Sequence, residues 1–251
     1  MKTAEYRKLR ELEDAYWWYQ VLRENVVRRV AGALGNTAVS ARVLDAGCGT
    51  GGTLAALRQA FPAWELTGLD VDEFAVKTTV QRGLGATVFR SSINRLPFSD
   101  RLFDAVISLD VLYHAAVEED TAMAELHRVL KPNAPLLLNL PAFDVLRGTH
   151  DLATHGRRRY TPAGVRALAQ RHGFHADFLT CWNTTLAPAT WLLRRGRRTA
   201  HPLAKSDLRP LPAWLNACLR ALARLEWRVA NILPLPAGTS VFAVLRKARD
   251  S

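Results

Sequence analysis

Apolar positions along this chain follow two spacings, and the changes between them outline an alternating α/β domain. Arg42–Asp45, Glu65–Asp70, Thr87–Arg90, Phe103–Leu109 and Pro135–Leu140 are short runs dominated by apolar and β-branched residues, the length of strands. Thr53–Ala60, Glu73–Arg82 and Glu119–Leu130 lie between them with the three-to-four-residue spacing of amphipathic helices. Strands that are apolar along their length predict a parallel sheet covered on both faces. Pro162–His172 then reads as a helix stopped by Gly173, and Phe174–Trp182 and Thr239–Arg246 read as two further strands.

The flanking segments are patterned differently. From Lys2 to about Leu34 the pattern is helical and charged, with the aromatic cluster Tyr16-Trp17-Trp18-Tyr19 in its middle. A stretch rich in arginine, proline and leucine separates the last two strands, and Trp214–Ala230 within it reads as an amphipathic helix. The expected organisation is a helical lid over 1–40 and an α/β domain over 41–251. Within the latter, 142–162 would form a second lid segment and 186–235 a helical insertion.

Composition narrows this picture. The chain has 251 residues, 49% of them hydrophobic, enough to bury a core without covalent staples. Cys48, Cys181 and Cys218 are odd in number and far apart, which predicts neither disulfides nor a metal site and fits a reducing cytoplasm. The start of the chain is charged and carries no apolar core, so no secretory signal is expected. The longest uncharged stretch, Phe178–Leu193, holds Asn183 and Pro188 and is too short to span a bilayer. The net charge of +11 is concentrated in the insertion. Arg194, Arg195, Arg197, Arg198, Lys205, Arg209, Arg220, Arg224 and Arg228 stand there against Asp207 and Glu226. Such charge suits an anionic partner or simply a solvated surface. Aromatic residues are not interleaved with the arginines as in an RNA-binding module, so nucleic acid is not the favoured partner.

The chemical signal is Val43-Leu44-Asp45-Ala46-Gly47-Cys48-Gly49-Thr50-Gly51-Gly52, between a strand and a helix. Glycines there permit a tight turn and close approach of backbone to ligand. Gly47, Gly49 and Gly52 also satisfy the dinucleotide spacing G-x-G-x-x-G, but Asp45 would repel a pyrophosphate at the start of that helix. S-adenosylmethionine carries no phosphate, and its ammonium group suits a carboxylate at this position. Asp45 as a mere turn cap remains the bland alternative. Asp70, closing the second strand, is placed to accept both ribose hydroxyls of either nucleotide class.

With these residues in hand, the chain resembles the class I S-adenosylmethionine-dependent methyltransferases. Leu44–Gly51 matches their LDAGCGTG loop, and Leu96–Asp104 their LPF…FD segment. Glu125–Pro132 is similar to the helix and turn preceding their fifth strand. The resemblance implies a Rossmann-like methyltransferase fold with a mostly parallel seven-stranded sheet, order 3-2-1-4-5-7-6, and helices on both faces. It implies S-adenosylmethionine as cofactor and no metal. Asp45, Gly47, Cys48 and Gly49 would then meet the methionine end, Asp70 the ribose, and Val71 the adenine. Relatives often place an acid against the adenine amino group where this chain has Ser92; Ser92 and the Ile93 backbone would take that place. Leu109, Asp110 and His114 follow strand four, where relatives face the sulfonium and the acceptor. Asp110 as an exposed acid or helix cap, and His114 as a structural histidine, are the alternatives.

Acceptor recognition is expected outside these motifs. Tyr16 and Trp17 are candidates for an aromatic wall over the substrate, or else for anchors pinning the first helix to the core. The segment from His150 to Tyr160 resembles an HD…H-x-RRY pattern found after strand five in a bacterial subgroup. There His150, His155 and Tyr160 are candidate bases or orienting groups and Arg158 a candidate anion partner, unless the segment is simply a hydrogen-bonded lid. The insertion is expected to cap an apolar substrate, touch a membrane periphery, form a homodimer contact or pack on the sheet. The leading expectation is methylation of a small-molecule acceptor, apolar or anionic. Methylation of RNA or protein is the rival activity, and a non-catalytic cofactor-binding scaffold is the rival class.

Overall fold

The computed structural model describes residues 3–35, 39–148, 151, 154–197 and 210–248. Two helices lead, α1 (Thr3–Leu12) and α2 (Trp17–Leu34). The alternating part follows as β1 (Arg42–Ala46), α3 (Gly52–Ala60), β2 (Glu65–Asp70), α4 (Glu73–Gln81), β3 (Thr87–Arg90), β4 (Ala105–Leu109), α5 (Glu119–Val129) and β5 (Pro135–Pro141). Then come α6 (Pro162–Arg171), β6 (Phe174–Trp182), α7 (Ala187–Arg197), α8 (Ala213–Ala230) and β7 (Ser240–Lys247).

The seven strands form one sheet in the order β3-β2-β1-β4-β5-β7-β6, the Rossmann-like methyltransferase arrangement expected from the sequence. β3, β2, β1, β4 and β5 run parallel. β7 runs antiparallel to both its neighbours, β5 and β6.

Alternate side chains along the strands go to opposite faces, which accounts for the unbroken apolar runs. Leu44, Val106, Leu136 and Leu138 face Met123 and Leu126 of α5 and Leu168 of α6. On the other face Val43, Ile107, Leu137 and Phe242 pack with Val21 and Leu22 of α2, Leu57 of α3 and Trp227 of α8. Trp227 meets Phe242 edge to face, with ring centroids 5.2 Å apart. Truncating a ring buried so completely costs about 3–5 kcal/mol.

The leading helix departs from the single element expected over 2–34. It breaks at Glu13–Tyr16 because the Glu13 carboxylate, 4% exposed, is held by groups outside the helix. Thr50 Oγ1 donates to Glu13 Oε1 at 2.5 Å, Arg82 Nη2 donates to the same oxygen, and Arg23 Nη2 donates to the Glu13 carbonyl. α2 is a core helix, whereas α1 lies across the carboxyl ends of the strands and against α4.

The insertion braces this corner. Asn216 of α8 accepts from the Trp17 backbone at 2.8 Å and donates to the Ala15 carbonyl at 2.9 Å. Arg220 Nη1 donates to Gln20 Oε1 at 2.8 Å, and Arg224 pairs with Glu24. The opposite face of α8 exposes Trp214, Leu222, Leu225 and Val229. No helix among the described residues is long and apolar enough to cross a membrane.

Candidate functional site

The carboxyl ends of β1, β2, β4 and β5, together with α1, α2 and α7, enclose a cavity of about 670 Å³. The β1–α3 loop forms its floor. Gly47, Gly49 and Gly51 have φ of +97°, +55° and +84°, a region that side chains disfavour. At Gly47 a methyl group would also come within 2.2 Å of Val111 Cγ2. The Gly47 and Cys48 N–H groups both donate to the Leu69 carbonyl, at 2.9 and 2.8 Å, which fastens the loop to the end of β2.

Two carboxylates stand beside this loop. Asp45 is 2% exposed, and its Oδ2 has no hydrogen-bond partner among the described residues. Burial, with the negative charges of Asp70 and Glu13 adding to it, pushes its carboxyl up to about 8. Asp70 is 5% exposed and well furnished with donors. Its Oδ1 accepts from Tyr6 Oη at 2.8 Å and Asp72 N at 3.0 Å, and its Oδ2 accepts from Gly49 N at 3.0 Å. Burial still raises its carboxyl above the ordinary carboxylate value against these three donors. Val71 is 56% exposed at the cavity edge, Ile93 is buried, and Ser92 Oγ accepts from Asn94 N at 3.2 Å.

β4 ends at Leu109, and Asp110, the next residue, has a φ of +55° and lines the cavity. Both Asp110 oxygens accept from Asn139 Nδ2, at 3.1 and 3.0 Å, while Asn139 Oδ1 accepts from Trp182 Nε1 at 2.8 Å. Burial pushes the Asp110 carboxyl up to about 7, against the lowering effect of Asn139. His114 also lines the cavity, with Nδ1 2.7 Å from the Thr154 carbonyl. That contact to a carbonyl assigns a proton to Nδ1. Tyr16, Trp17 and Tyr19 line the same space, and Trp18 stacks on Trp182 with centroids 5.2 Å apart.

The segment after β5 behaves differently from the expected set of bases. His150 lies outside the described residues. His155 is exposed and lies outside the cavity wall; its φ of +55° marks a turn whose backbone carbonyl accepts from Ala115 N. Tyr160 is buried away from the cavity, donating to Glu119 Oε2 at 2.6 Å and approaching the Leu112 carbonyl at 3.2 Å. Arg158 turns toward the same Glu119, at 3.0 Å, and does not reach the cavity. Arg159 and Asp151 do reach it. Their side chains are 4% and 3% exposed, and Arg159 Nε donates to Asp151 Oδ1 at 2.8 Å. Burial alone would raise the Asp151 carboxyl, but the hydrogen bonds and charge of Arg159 hold it below the ordinary value.

The sequence did not single out Glu5 and Tyr6 on α1, Glu13 just past its end, or Tyr113 beside His114. The spacing of Tyr6, Leu9 and Glu13, all on the cavity wall, matches one face of a helix and was the available signal.

Comparison with known proteins agrees with this geometry. Residues 43–133 match a family model described as a methyltransferase domain. That stretch is a methyltransferase domain. A Bacillus subtilis protein described as an uncharacterized methyltransferase is 35% identical over 99 residues, 38% of this chain and 41% of its own length. A fatty-acid O-methyltransferase of Mycolicibacterium smegmatis is 32% identical over 131 residues, 51% of this chain and 42% of its own. The chain therefore spans less than half the length of these curated relatives. Among solved structures, a putative sarcosine dimethylglycine methyltransferase from Galdieria sulphuraria superposes with a TM-score of 0.60 over 90% of this chain and 85% of that one. At 19% identity that likeness concerns the methyltransferase fold alone.

The residues fit the cofactor that such a domain takes. The cavity presents Asp45, with a buried unpartnered oxygen, and Asp70 beside the glycine loop. That pairing suits a ligand with one ammonium group and a ribose, and opposes a diphosphate.

Proposed function

We propose that this protein transfers a methyl group from S-adenosylmethionine to a small, largely apolar acceptor. The observation that carries the reading is the unpartnered Asp45 oxygen, buried beside the glycine loop with its carboxyl raised to about 8. A buried acceptor of that kind is costly unless a cationic donor meets it. Bound in this cavity, S-adenosylmethionine would supply an electrophilic methyl group on a positively charged sulfur.

The chain's own residues do the rest. Asp45 would hold the ammonium and Asp70 the ribose hydroxyls, with Gly47 and Gly49 allowing the backbone to approach. Leu109 and Asp110 close the cavity beyond the loop. Tyr16, Trp17, Leu186 and Leu193 give the remaining wall an apolar character that excludes water and orients an apolar acceptor. His114, on the cavity wall and held through Nδ1 at the Thr154 carbonyl, would receive a proton from the acceptor atom. Tyr160 and Arg158 act at one remove: through Glu119 and the Leu112 carbonyl they hold the segment that carries Tyr113 and His114.

An apolar acceptor is supported by this wall and by the fatty-acid O-methyltransferase among the relatives. The test is calorimetry with S-adenosylmethionine and S-adenosylhomocysteine, followed by transfer from methyl-labelled donor to lipid, polar-metabolite, RNA and protein fractions. Donor binding with label in the lipid fraction is the expected result. Binding without transfer to any fraction overturns catalysis in favour of a cofactor-binding scaffold.

A further inference from the structure

We infer that Glu5 receives the exocyclic amino group of the adenine, so that α1 supplies the wall of the cofactor site that discriminates the base. This rests on the preceding reading, in which S-adenosylmethionine occupies the cavity.

Glu5 is 8% exposed and lines the cavity. Its Oε1 lies 3.5 Å from Lys8 Nζ at the surface, whereas its Oε2 is buried with no hydrogen-bond partner among the described residues. A carboxylate oxygen removed from water and left without a donor is strongly unfavourable, so a donor from the cavity side is required.

Position identifies the donor. The next residue, Tyr6, bonds Asp70, and Thr3 Oγ1 donates to Asp72 Oδ2 at 3.2 Å. α1 therefore starts beyond the end of β2, at Asp72, and reaches the ribose carboxylate at Tyr6, with Glu5 between the two contacts. Asp45 and the glycine loop lie on the other side of Asp70 and take the amino-acid tail. What extends beyond Asp70 is the base; Val71 follows Asp70 directly, the Ser91 N–H donates to the Asp70 carbonyl at 3.0 Å, and both line the cavity with Ser92. The edge of adenine carries one amino group, and its ring nitrogens only accept, so a carboxylate can serve nothing there but that amine.

Neither serine can take this role as an anion. Ser91 Oγ approaches the Arg95 carbonyl at 3.2 Å, and Ser92 Oγ is engaged by Asn94 N. A charged acceptor on the first helix thus replaces one on the loop after β3, and base recognition becomes dependent on α1 lying down.

The experiment measures binding of S-adenosylhomocysteine and S-inosylhomocysteine, which has a carbonyl oxygen in place of the amino group, by calorimetry. Wild type, Glu5→Gln and Glu5→Gln/Ser92→Asp are compared, with thermal melts confirming that each is folded. A hydrogen bond to a charged group implies that wild type prefers the adenosyl ligand and that Glu5→Gln lowers that preference about tenfold or more. Affinity for the inosyl ligand should hold or rise, and Ser92→Asp should restore the preference. Equal weakening of both ligands, or an unchanged ratio, overturns the role of Glu5 while leaving the cofactor reading intact. Failure of wild type to bind S-adenosylhomocysteine overturns both.

Discussion

The Tyr6 hydroxyl sits 2.8 Å from Asp70 Oδ1 and donates to it, so a side chain of the first helix already engages the carboxylate assigned to the ribose. A sugar hydroxyl arriving at that oxygen competes with the phenol rather than adding to it. Asp70→Ala removes the acceptor altogether and is expected to weaken S-adenosylhomocysteine binding about tenfold or more, as loss of a charged hydrogen bond does. Tyr6→Phe removes only the competitor and should leave affinity unchanged or raised. Calorimetry on the two variants checks this, and a loss in Tyr6→Phe as large as in Asp70→Ala would place the phenol itself among the ligand's partners.

Asp45 gives a pH dependence of determinate sign. Its folded value, about 8, lies above the ordinary 3.8, so the native protein keeps a proton that the unfolded chain releases between those limits. Its contribution to the unfolding free energy therefore falls as pH rises through that window and levels off above it. An arriving ammonium favours the charged carboxylate, so binding below pH 8 should release a proton and tighten as pH rises toward 8. Asp45→Asn should melt higher than wild type near neutral pH, bind the cofactor at least tenfold more weakly, and lose the proton release. Calorimetry in buffers of different ionisation enthalpy, alongside melting curves, reads all three.

Neighbouring arginines after strand five should differ in consequence. Arg159→Met strands the Asp151 charge in a nearly inaccessible place, which costs about 3–5 kcal/mol. Arg158→Met breaks a pair whose partners are 22% and 20% exposed, a more modest loss of about 1 kcal/mol. Urea denaturation midpoints at a common slope distinguish the two.

Histidines of the same region should separate as well. His155→Ala, on an exposed turn outside the cavity, is expected to leave both turnover and cofactor affinity unchanged. His114→Ala should lower turnover by about 10²-fold, as loss of a positioned base does, with cofactor affinity held. Steady-state rates with an identified acceptor decide it; the reverse ranking would return the proton-accepting role to the turn.

The central strands were legible because they are buried on both faces, leaving Val43-Leu44 or Leu136-Leu137-Leu138 no polar position to blur the run. The glycine loop was legible because positive φ and close approach admit few other residues. The break at Glu13 was not, since the sequence there, Glu11-Leu12-Glu13-Asp14-Ala15, holds no glycine or proline. Its cause is capture of a carboxylate by Thr50 and Arg82, distant along the chain. Glu5 and Tyr6 were hidden likewise, because a charged helix reads as solvated until something covers it. Tyr160 and Arg158 carried plausible chemistry, but Glu119 turns both away from the cavity.

The placement of β7 governs the order in which this molecule can be built. Among the described residues β6 has β7 as its sole strand neighbour, with Phe174 opposite Lys247, and β7 in turn zips onto β5. Strand six must therefore wait, unattached at either edge, until a segment many residues downstream slides into the gap. Closing so long a loop is slow, and an open strand edge is adhesive meanwhile. Refolding should accordingly show the β1–β5 half gaining protection from hydrogen exchange first, with residues 174–182 and 240–247 becoming protected together and last.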